Sequence, residues 1–436
     1  MNFLIRDFFF PTHEFLKGHM TLNMFKEIER TQWLKRVELE QLKREKLRDF
    51  LGFIKGNVPY YNDLLTSKTA LYEIPYLTKK DIRENREEMR SVKAKGVVRS
   101  NTGGSTGEPL IFYLGKRRIS ADVAAKLRAT RWWGVDVGDR EVVIWGSPVE
   151  LTKQDRIRQF RDWVFRTRLL SAFDMTEETM YGYLGFIKRF RPLHIFGYPS
   201  SIYLLCKYAR KRDIRLDDLG VKVVFCTAER LYDYQREFIS ETFSAPVANG
   251  YGGRDAGFIA HECPDGRMHI TDENVIIEIV DSAGNPLPPE GTGEIVVTHL
   301  ESHEFPFLRY KTGDIGVLSD EECPCGRGLS VLKSVEGRST DFIVTPDGRI
   351  MHGLALIYVV RGTEGVEEFK ILQEDYDHIK LFLSVNKEFR EENEEEIKKG
   401  LRKRLGEDMK IDIIYTERIP AERSGKFRYV VSKVSV

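Results

Sequence analysis

The sequence predicts an α/β fold: a large N-terminal α/β domain with parallel and mixed sheets and a β-rich subregion, then a small mobile α+β C-terminal domain. Three observations carry this expectation. From about residue 97 to 243, short apolar runs alternate with helix-period stretches, the pattern of strand–helix–strand units with parallel pairing. From about 275 to 345 the strands shorten and are divided by the turn-rich run GNPLPPEGTGE. After about 340 a lid-sized strand–helix–strand unit begins. The expected domains are 1–338 and 339–436.

The elements follow in order. Residues 22–56 read as helical, with Leu34, Val37, Leu42, Leu47 and Leu51 near helical spacing and Leu39 off that stripe. Strands are expected at 97–99 and 110–113 with a Gly-rich loop between them. Helices are expected at 119–133, 176–190, 201–211 and 231–243, and strands at 141–145, 194–196 and 221–226. In the tail, 369–372, 379–385 and 411–415 read as strands and 391–405 as a helix. The acidic run 391–396 suits a solvated helix face near an N-terminus.

Hydrophobic residues make up 41% and charged residues 31%, which suits a globular protein with a large core. A net charge of +1 gives no reason to expect nucleic acid or a membrane surface as partner. No apolar run approaches the roughly 20 residues of a membrane span. The opening MNFLIRDFFF is interrupted by Arg6 and Asp7 and lacks a small-residue cleavage site, so a cytoplasmic location is expected. Five cysteines in so long a chain argue against a disulfide framework. Cys206 and Cys226 sit in apolar surroundings and read as core.

Five motifs carry chemistry. The first is Thr102, Gly103, Gly104, Ser105, Thr106 and Gly107, within SNTGGSTGEPL. Its glycines let the backbone approach a ligand closely, and its amides and hydroxyls suit phosphate oxygens. The Gly-Lys-Ser/Thr ending of the Walker loop is absent. The second is Asn249, Gly250, Tyr251 and Gly252, leading to Asp255. An aromatic ring can cover an adenine, and a carboxylate can hold Mg²⁺, a hard ion that prefers oxygen. The third, LRYKTGD, ends in Asp314, a short carboxylate suited to ribose hydroxyls. The fourth, EGRSTD, holds Arg338 and Asp341 at the expected domain boundary. The fifth, RSGKFR, offers Lys426 as a mobile point charge. Each alone also reads as an ordinary polar turn.

Together, in this order, these motifs resemble the adenylate-forming superfamily, and within it the phenylacetate–CoA ligase-like and CapK-like branch. FGYPSS at 196–201, FCTAERL at 225–231 and NGYGGRDAGFIAHEC add to the likeness, which runs from about residue 45 to the end. The resemblance implies ATP-dependent activation of a carboxylic acid to an acyl-AMP, with transfer to CoA. It implies that the segment from Thr102 to Gly107 holds the ATP phosphates, and that Ala228 and Glu229 with Asn249, Gly250, Tyr251 and Gly252 frame the adenine. Asp314 then takes the ribose with Arg338 nearby, Arg338 and Asp341 belong to a hinge, and Lys426 reaches the carboxylate and α-phosphate. A homodimer is also implied. The family's second motif usually ends in Glu where this chain has Asp255. The segment TPDGRIMHGLALIYVV departs from the Pro-containing form of the phenylacetate ligases and lies closer to the CapK-like group. Trp145, Tyr198, Pro199 and Ser200 are candidates for the acid pocket, whose aromatic walls suit an aryl or aryl-acetic acid. Core packing is the competing reading for Trp145.

Cys263, His269, Cys323 and Cys325 form a second candidate set. Three thiols and an imidazole match tetrahedral zinc, with no open position for catalysis, so a structural clamp is expected. His261 competes with His269 as the fourth ligand, and reduced free thiols are the alternative. Three functions stay open: an acyl-CoA-forming ligase, an adenylating ligase with a non-CoA acceptor in polysaccharide or secondary metabolism, and a non-catalytic nucleotide-binding scaffold.

Overall fold

The computed structural model describes residues 2–65, 70–102, 110–145, 155–172, 175–338, 342–346, 350–352, 354–419 and 428–434. They form two compact units, one over 1–336 and a second beginning at Gly337.

Local chemistry starts several helices where the sequence predicts. Thr176 caps Glu177–Phe190 by accepting from the amide of Thr179 at 3.2 Å. Pro199 opens Pro199–Lys211, where a missing N–H costs nothing. The expected helix at 22–56 is instead two, Thr21–Thr31 and Arg36–Asn57. The break lies where the Gln32 carbonyl accepts from the Gly328 amide at 3.0 Å and its side-chain oxygen accepts from Trp132 Nε1 at 2.9 Å. The expected stripe is right only in part, since Leu47 and Leu51 pack against the core. Leu39, Phe50 and Ile54 are buried, whereas Val37 is 79% exposed. Lys43 and Lys46 continue the inward face and pair with the buried Asp272 and Glu301 at 3.0 and 3.1 Å.

Among the described residues the first unit contains a mixed sheet of eleven strands. Its parallel half runs Val247–Gly253, Val223–Thr227, His194–Gly197, Glu141–Trp145 and Thr167–Ser171. The last of these is an edge strand that the sequence reading missed. Gly257–Glu262 returns antiparallel from Val247–Gly253 and leads through Met268–Ile270 to Val331–Arg338. Tyr310–Ser319, Thr292–His299 and Val275–Val280 complete the order. A separate hairpin, Val98–Asn101 with Ile111–Leu114, flanks the Gly-rich segment.

One core lies between the parallel strands and the helices Glu177–Phe190, Pro199–Lys211 and Asp233–Phe243. Another gathers Phe112, Phe305, Phe307 and Tyr310 under the antiparallel half. Among the described residues no helix is long and apolar enough to cross a membrane.

Among the described residues the second unit has a four-stranded sheet in the order Lys410–Tyr415, His378–Val385, Val366–Asp375, Val430–Ser432. Helices Leu354–Arg361 and Glu391–Leu405 accompany it. The buried Gln373 amide holds the Phe342–Val344 strand to this sheet: Nε2 donates to the Val344 carbonyl at 2.6 Å, and Oε1 accepts from its amide at 3.0 Å.

Candidate active site and metal centre

Trp145, Tyr198, Ala228 and the Asn249–Gly252 segment lie at the carboxyl ends of the parallel strands, where open α/β sheets bind ligands. Trp145 ends its strand and stacks on Tyr198, ring centres 4.2 Å apart. Tyr198 is buried at the entry to Pro199–Lys211. The amide of Ser200, in the first turn, donates to Glu229 Oε2 at 3.2 Å. Ala228 adopts a left-handed conformation, φ 68°, as the chain leaves Val223–Thr227. Thr227 Oγ1 donates to the Gly250 carbonyl at 2.8 Å, tying this turn to the glycine-rich strand beside it. Asn249 donates its amide to Glu262 at 2.7 Å. Gly252 is required by space: a Cβ there would lie 2.2 Å from the Gly257 carbonyl oxygen.

Two short segments lock together across the sheet. Tyr251 Oη donates to Asp314 Oδ2 at 2.9 Å, and Tyr310 Oη donates to Asp255 Oδ2 at 2.7 Å. Burial, then the charge of Asp314, pushes the Tyr251 phenol well above its ordinary value, so it stays a donor. The Ala256 amide donates to Asp255 Oδ1 at 3.1 Å, and Arg118 holds the Asp255 carbonyl at 3.0 Å. A carboxylate has about four lone-pair positions, so the bonds from Tyr310 and the Ala256 amide leave the Asp255 side chain capacity for a hard cation.

The hairpin joins the same region. Arg254 reaches the Asn101 carbonyl at 3.5 Å. Thr102 accepts from the Leu110 amide through Oγ1 at 3.1 Å and donates its own amide to the Leu110 carbonyl at 3.0 Å. Gly103, Gly104, Ser105, Thr106, Gly107, Asp341 and Lys426 lie outside the described residues, as does the side chain of Arg338.

Sequence reasoning missed Tyr310, Arg118 and Arg254. One signal was present for the first: Tyr251 and Asp255 share the Tyr-x-x-x-Asp spacing of Tyr310 and Asp314.

The cysteine set also comes together. The ligand atoms of Cys263, His269, Cys323 and Cys325 all lie within 4.8 Å of one another. Cys263 and Cys323 sulfurs are 3.6 Å apart, and His269 Nε2 is 3.2 Å from Cys325 Sγ. Its other nitrogen faces the Leu329 carbonyl at 3.3 Å, the outer contact that orients a metal-binding imidazole. Burial lowers the imidazole to about 4 and keeps it neutral. Two matching Cys-Pro-x-Gly turns build this cluster. The Cys263 and Cys323 carbonyls accept from the amides of Gly266 and Gly326 at 2.9 and 3.1 Å, and both glycines have positive φ. His261 stands opposite His269 in register, but its ring stacks on Phe258 at 4.3 Å and it is not part of the cluster.

Residues 101–300 match the family described as AMP-binding enzyme, and 343–433 match the CapK C-terminal domain. The chain is 25% identical to Protein CapK of Staphylococcus aureus over 96% of its length and 94% of that protein's. It is 27% identical to a phenylacetate-coenzyme A ligase of Thermus thermophilus, over 71% and 73% of the two chains. In fold it is similar to 2-hydroxyisobutyryl-CoA ligase in the postadenylation state, with TM-score 0.73 and 18% identity, covering 93% of this chain and 91% of that one. The chain belongs to the adenylate-forming superfamily, in its phenylacetate–CoA ligase-like and CapK-like branch.

Proposed function

We propose that the protein activates a carboxylic acid with ATP and passes the acyl group to CoA. The acid oxygen bonds to the α-phosphorus, the α–β phosphoanhydride bond breaks, and pyrophosphate leaves. The thiol sulfur then bonds to the acyl carbon, AMP departs, and the thiol proton passes to solvent. The observation that carries this reading is the reciprocal Tyr251–Asp314 and Tyr310–Asp255 pairing, which sets an aromatic ring and two carboxylates side by side.

In this reading Tyr251 lies against adenine, framed by Ala228, Glu229, Asn249, Gly250 and Gly252, and Asp314 takes the ribose hydroxyls. The Thr102–Gly107 stretch holds the phosphates. Mg²⁺, when bound, neutralises phosphate charge, and Asp255 is its protein ligand. Lys426 supplies a second positive charge, worth most where charge shifts in the transition state. Arg338 and Asp341 serve as the hinge of a 339–436 domain that exchanges Lys426 for the thiol. Trp145, Tyr198, Pro199 and Ser200 wall an aryl or aryl-acetic acid. Cys263, His269, Cys323 and Cys325 hold a structural zinc.

Likeness to Protein CapK along 96% of the chain favours a second reading, the same adenylation with a non-CoA acceptor. Acid-dependent ATP–pyrophosphate exchange over aryl, aryl-acetic and short aliphatic acids tests the shared step. Exchange that collapses in Lys426→Ala supports adenylation. No exchange from folded, ATP-binding protein favours the scaffold alternative. Mass spectrometry for acyl-CoA then separates the two acceptors.

A further inference from the structure

Three side chains outside the candidate set close on the turn that carries Asp255. Arg118 and Asp122 sit one helical turn apart on the helix Lys116–Trp132, which only Gly115 separates from the hairpin strand Ile111–Leu114. Arg118 is 1% exposed, and Asp122 is partly exposed. Arg118 Nε donates to Asp122 Oδ2 at 2.9 Å, and Nη2 donates to the Asp255 carbonyl at 3.0 Å. Asp122 Oδ1 accepts from the Phe258 amide at 3.0 Å and faces His299 Nε2 at 3.4 Å. His299 Nδ1 accepts from the Glu301 amide at 3.3 Å, which leaves Nε2 as the protonated nitrogen that donates to Asp122.

The backbone is therefore gripped at two points. Arg118 holds the carbonyl of Asp255 itself, and Asp122 holds the amide three residues on. Gly257 lies between them at φ 91°, where a Cβ would stand 2.7 Å from Arg118 Nη2, 2.8 Å from Asp122 Oδ1 and 2.8 Å from His299 Cδ2. Glycine alone combines that conformation with so close an approach. This grip is separate from the bonds that the Asp255 carboxylate accepts from Tyr310 and the Ala256 amide.

The chemistry of the grip argues for orientation. Burying a guanidinium costs stability, and Arg118 Nη1 has no hydrogen-bond partner among the described residues. An apolar side chain of similar volume would fill the space at less cost. What the ion pair supplies instead is direction: charge-assisted bonds to two backbone atoms more than 130 positions away. Mg²⁺ demands near-ideal geometry, and the groups that orient a carboxylate ligand tune its affinity.

We propose that Arg118 and Asp122 are positioning residues for the Asp255 carboxylate, and that their ion pair sets how strongly Mg²⁺ promotes ATP binding. This rests on the reading of Asp255 as the Mg²⁺ ligand. The test is calorimetric titration of ATP into the full chain, with Mg²⁺ and with EDTA, for wild type, Asp255→Asn, Arg118→Lys and Asp122→Asn. Asp255→Asn is expected to abolish the gain in affinity that Mg²⁺ gives. Arg118→Lys keeps the charge without the fork, and Asp122→Asn keeps the shape without the charge. Each is expected to cut the Mg²⁺ gain by about tenfold, the worth of one charge-assisted hydrogen bond, with affinity in EDTA unchanged. Thermal unfolding identifies a variant that fails to fold, and Asp122→Asn, at a partly exposed position, then carries the test. Equal losses with Mg²⁺ and with EDTA would show a merely structural role and overturn the proposal. A full Mg²⁺ gain in folded Asp122→Asn, lost in Asp255→Asn, also overturns it and leaves Asp255 as the ligand. A full gain in Asp255→Asn as well overturns both.

Discussion

Tyr251 donates to Asp314 at 2.9 Å across 63 positions of sequence, and Tyr310 returns the same contact to Asp255. Each tyrosine thus fixes the carboxylate that ends the other segment. Asp314 is therefore held in place before any nucleotide arrives. If it takes the ribose hydroxyls, Asp314→Ala removes two charge-assisted hydrogen bonds and lowers kcat/KM for ATP by about 100-fold. Tyr251→Phe keeps the ring and loses only the orienting bond, so its cost is about tenfold or less. Exchange kinetics with varied ATP measure both. Equal losses in the two variants would sink the assignment of separate base and ribose roles.

The cysteine cluster predicts a bound ion. Metal analysis of the purified protein should find stoichiometric zinc. Cys263→Ser and Cys325→Ser should lose it and lower Tm by about 10 °C, since zinc binding at a structural site is folding free energy. His261→Asn should retain the metal, because its ring stacks on Phe258 outside the cluster. Full zinc in Cys325→Ser would remove that thiol from the ligand set.

What the sequence makes legible depends on how local the cause is. Glu141–Trp145 and His194–Gly197 are short apolar runs between turns and are recognisable without tertiary information. Thr167–Ser171 was missed because only Leu170 among its residues is buried, so an edge strand shows no apolar pattern. The stripe on Arg36–Asn57 was read only in part: Leu47 and Leu51 pack inward, but Lys43 and Lys46 share the inward face, compensated by acids more than 200 positions away. At the site, the glycines and carboxylates of each motif are visible, but their partners are not. His261 and His269 look equivalent in sequence and stand opposite each other in register. Only the turns that bring Cys323 and Cys325 beside His269 choose between them.

Glu141 ties the core to pH. Burial alone would raise its carboxyl, but Lys126 at 3.1 Å and His194 at 3.3 Å hold it well below the usual range. A carboxyl lowered by folding stabilises above its unfolded value of about 4.3 and loses that contribution as pH falls toward its folded one. Wild-type stability should therefore decline as pH drops below about 5. Glu141→Gln should be about 2 kcal/mol less stable at neutral pH, discounted for the partial exposure of Lys126. Its acid limb should also be flatter. Denaturant unfolding of both proteins from pH 7 to pH 3 gives the comparison, and parallel curves would mean that Glu141 is not the linked group.

Gly252 and Gly182 make opposite predictions from the same substitution. At Gly252 a methyl would stand 2.2 Å from the Gly257 carbonyl oxygen, in the strand pair that presents Tyr251. Backbone cannot yield there as a flexible side chain would, so Gly252→Ala should cost about 3 kcal/mol and displace Tyr251. At Gly182, inside Glu177–Phe190, a Cβ meets nothing within 4 Å. Gly182→Ala should therefore gain about 0.5–1 kcal/mol by restricting the unfolded chain and favouring the helix. ATP-binding titrations separate the two further. Gly182→Ala should leave the affinity unchanged, while Gly252→Ala should weaken it beyond what its stability loss explains, because the strand that carries the proposed adenine platform has moved. Unchanged ATP affinity in folded Gly252→Ala would mean that Tyr251 does not serve as that platform.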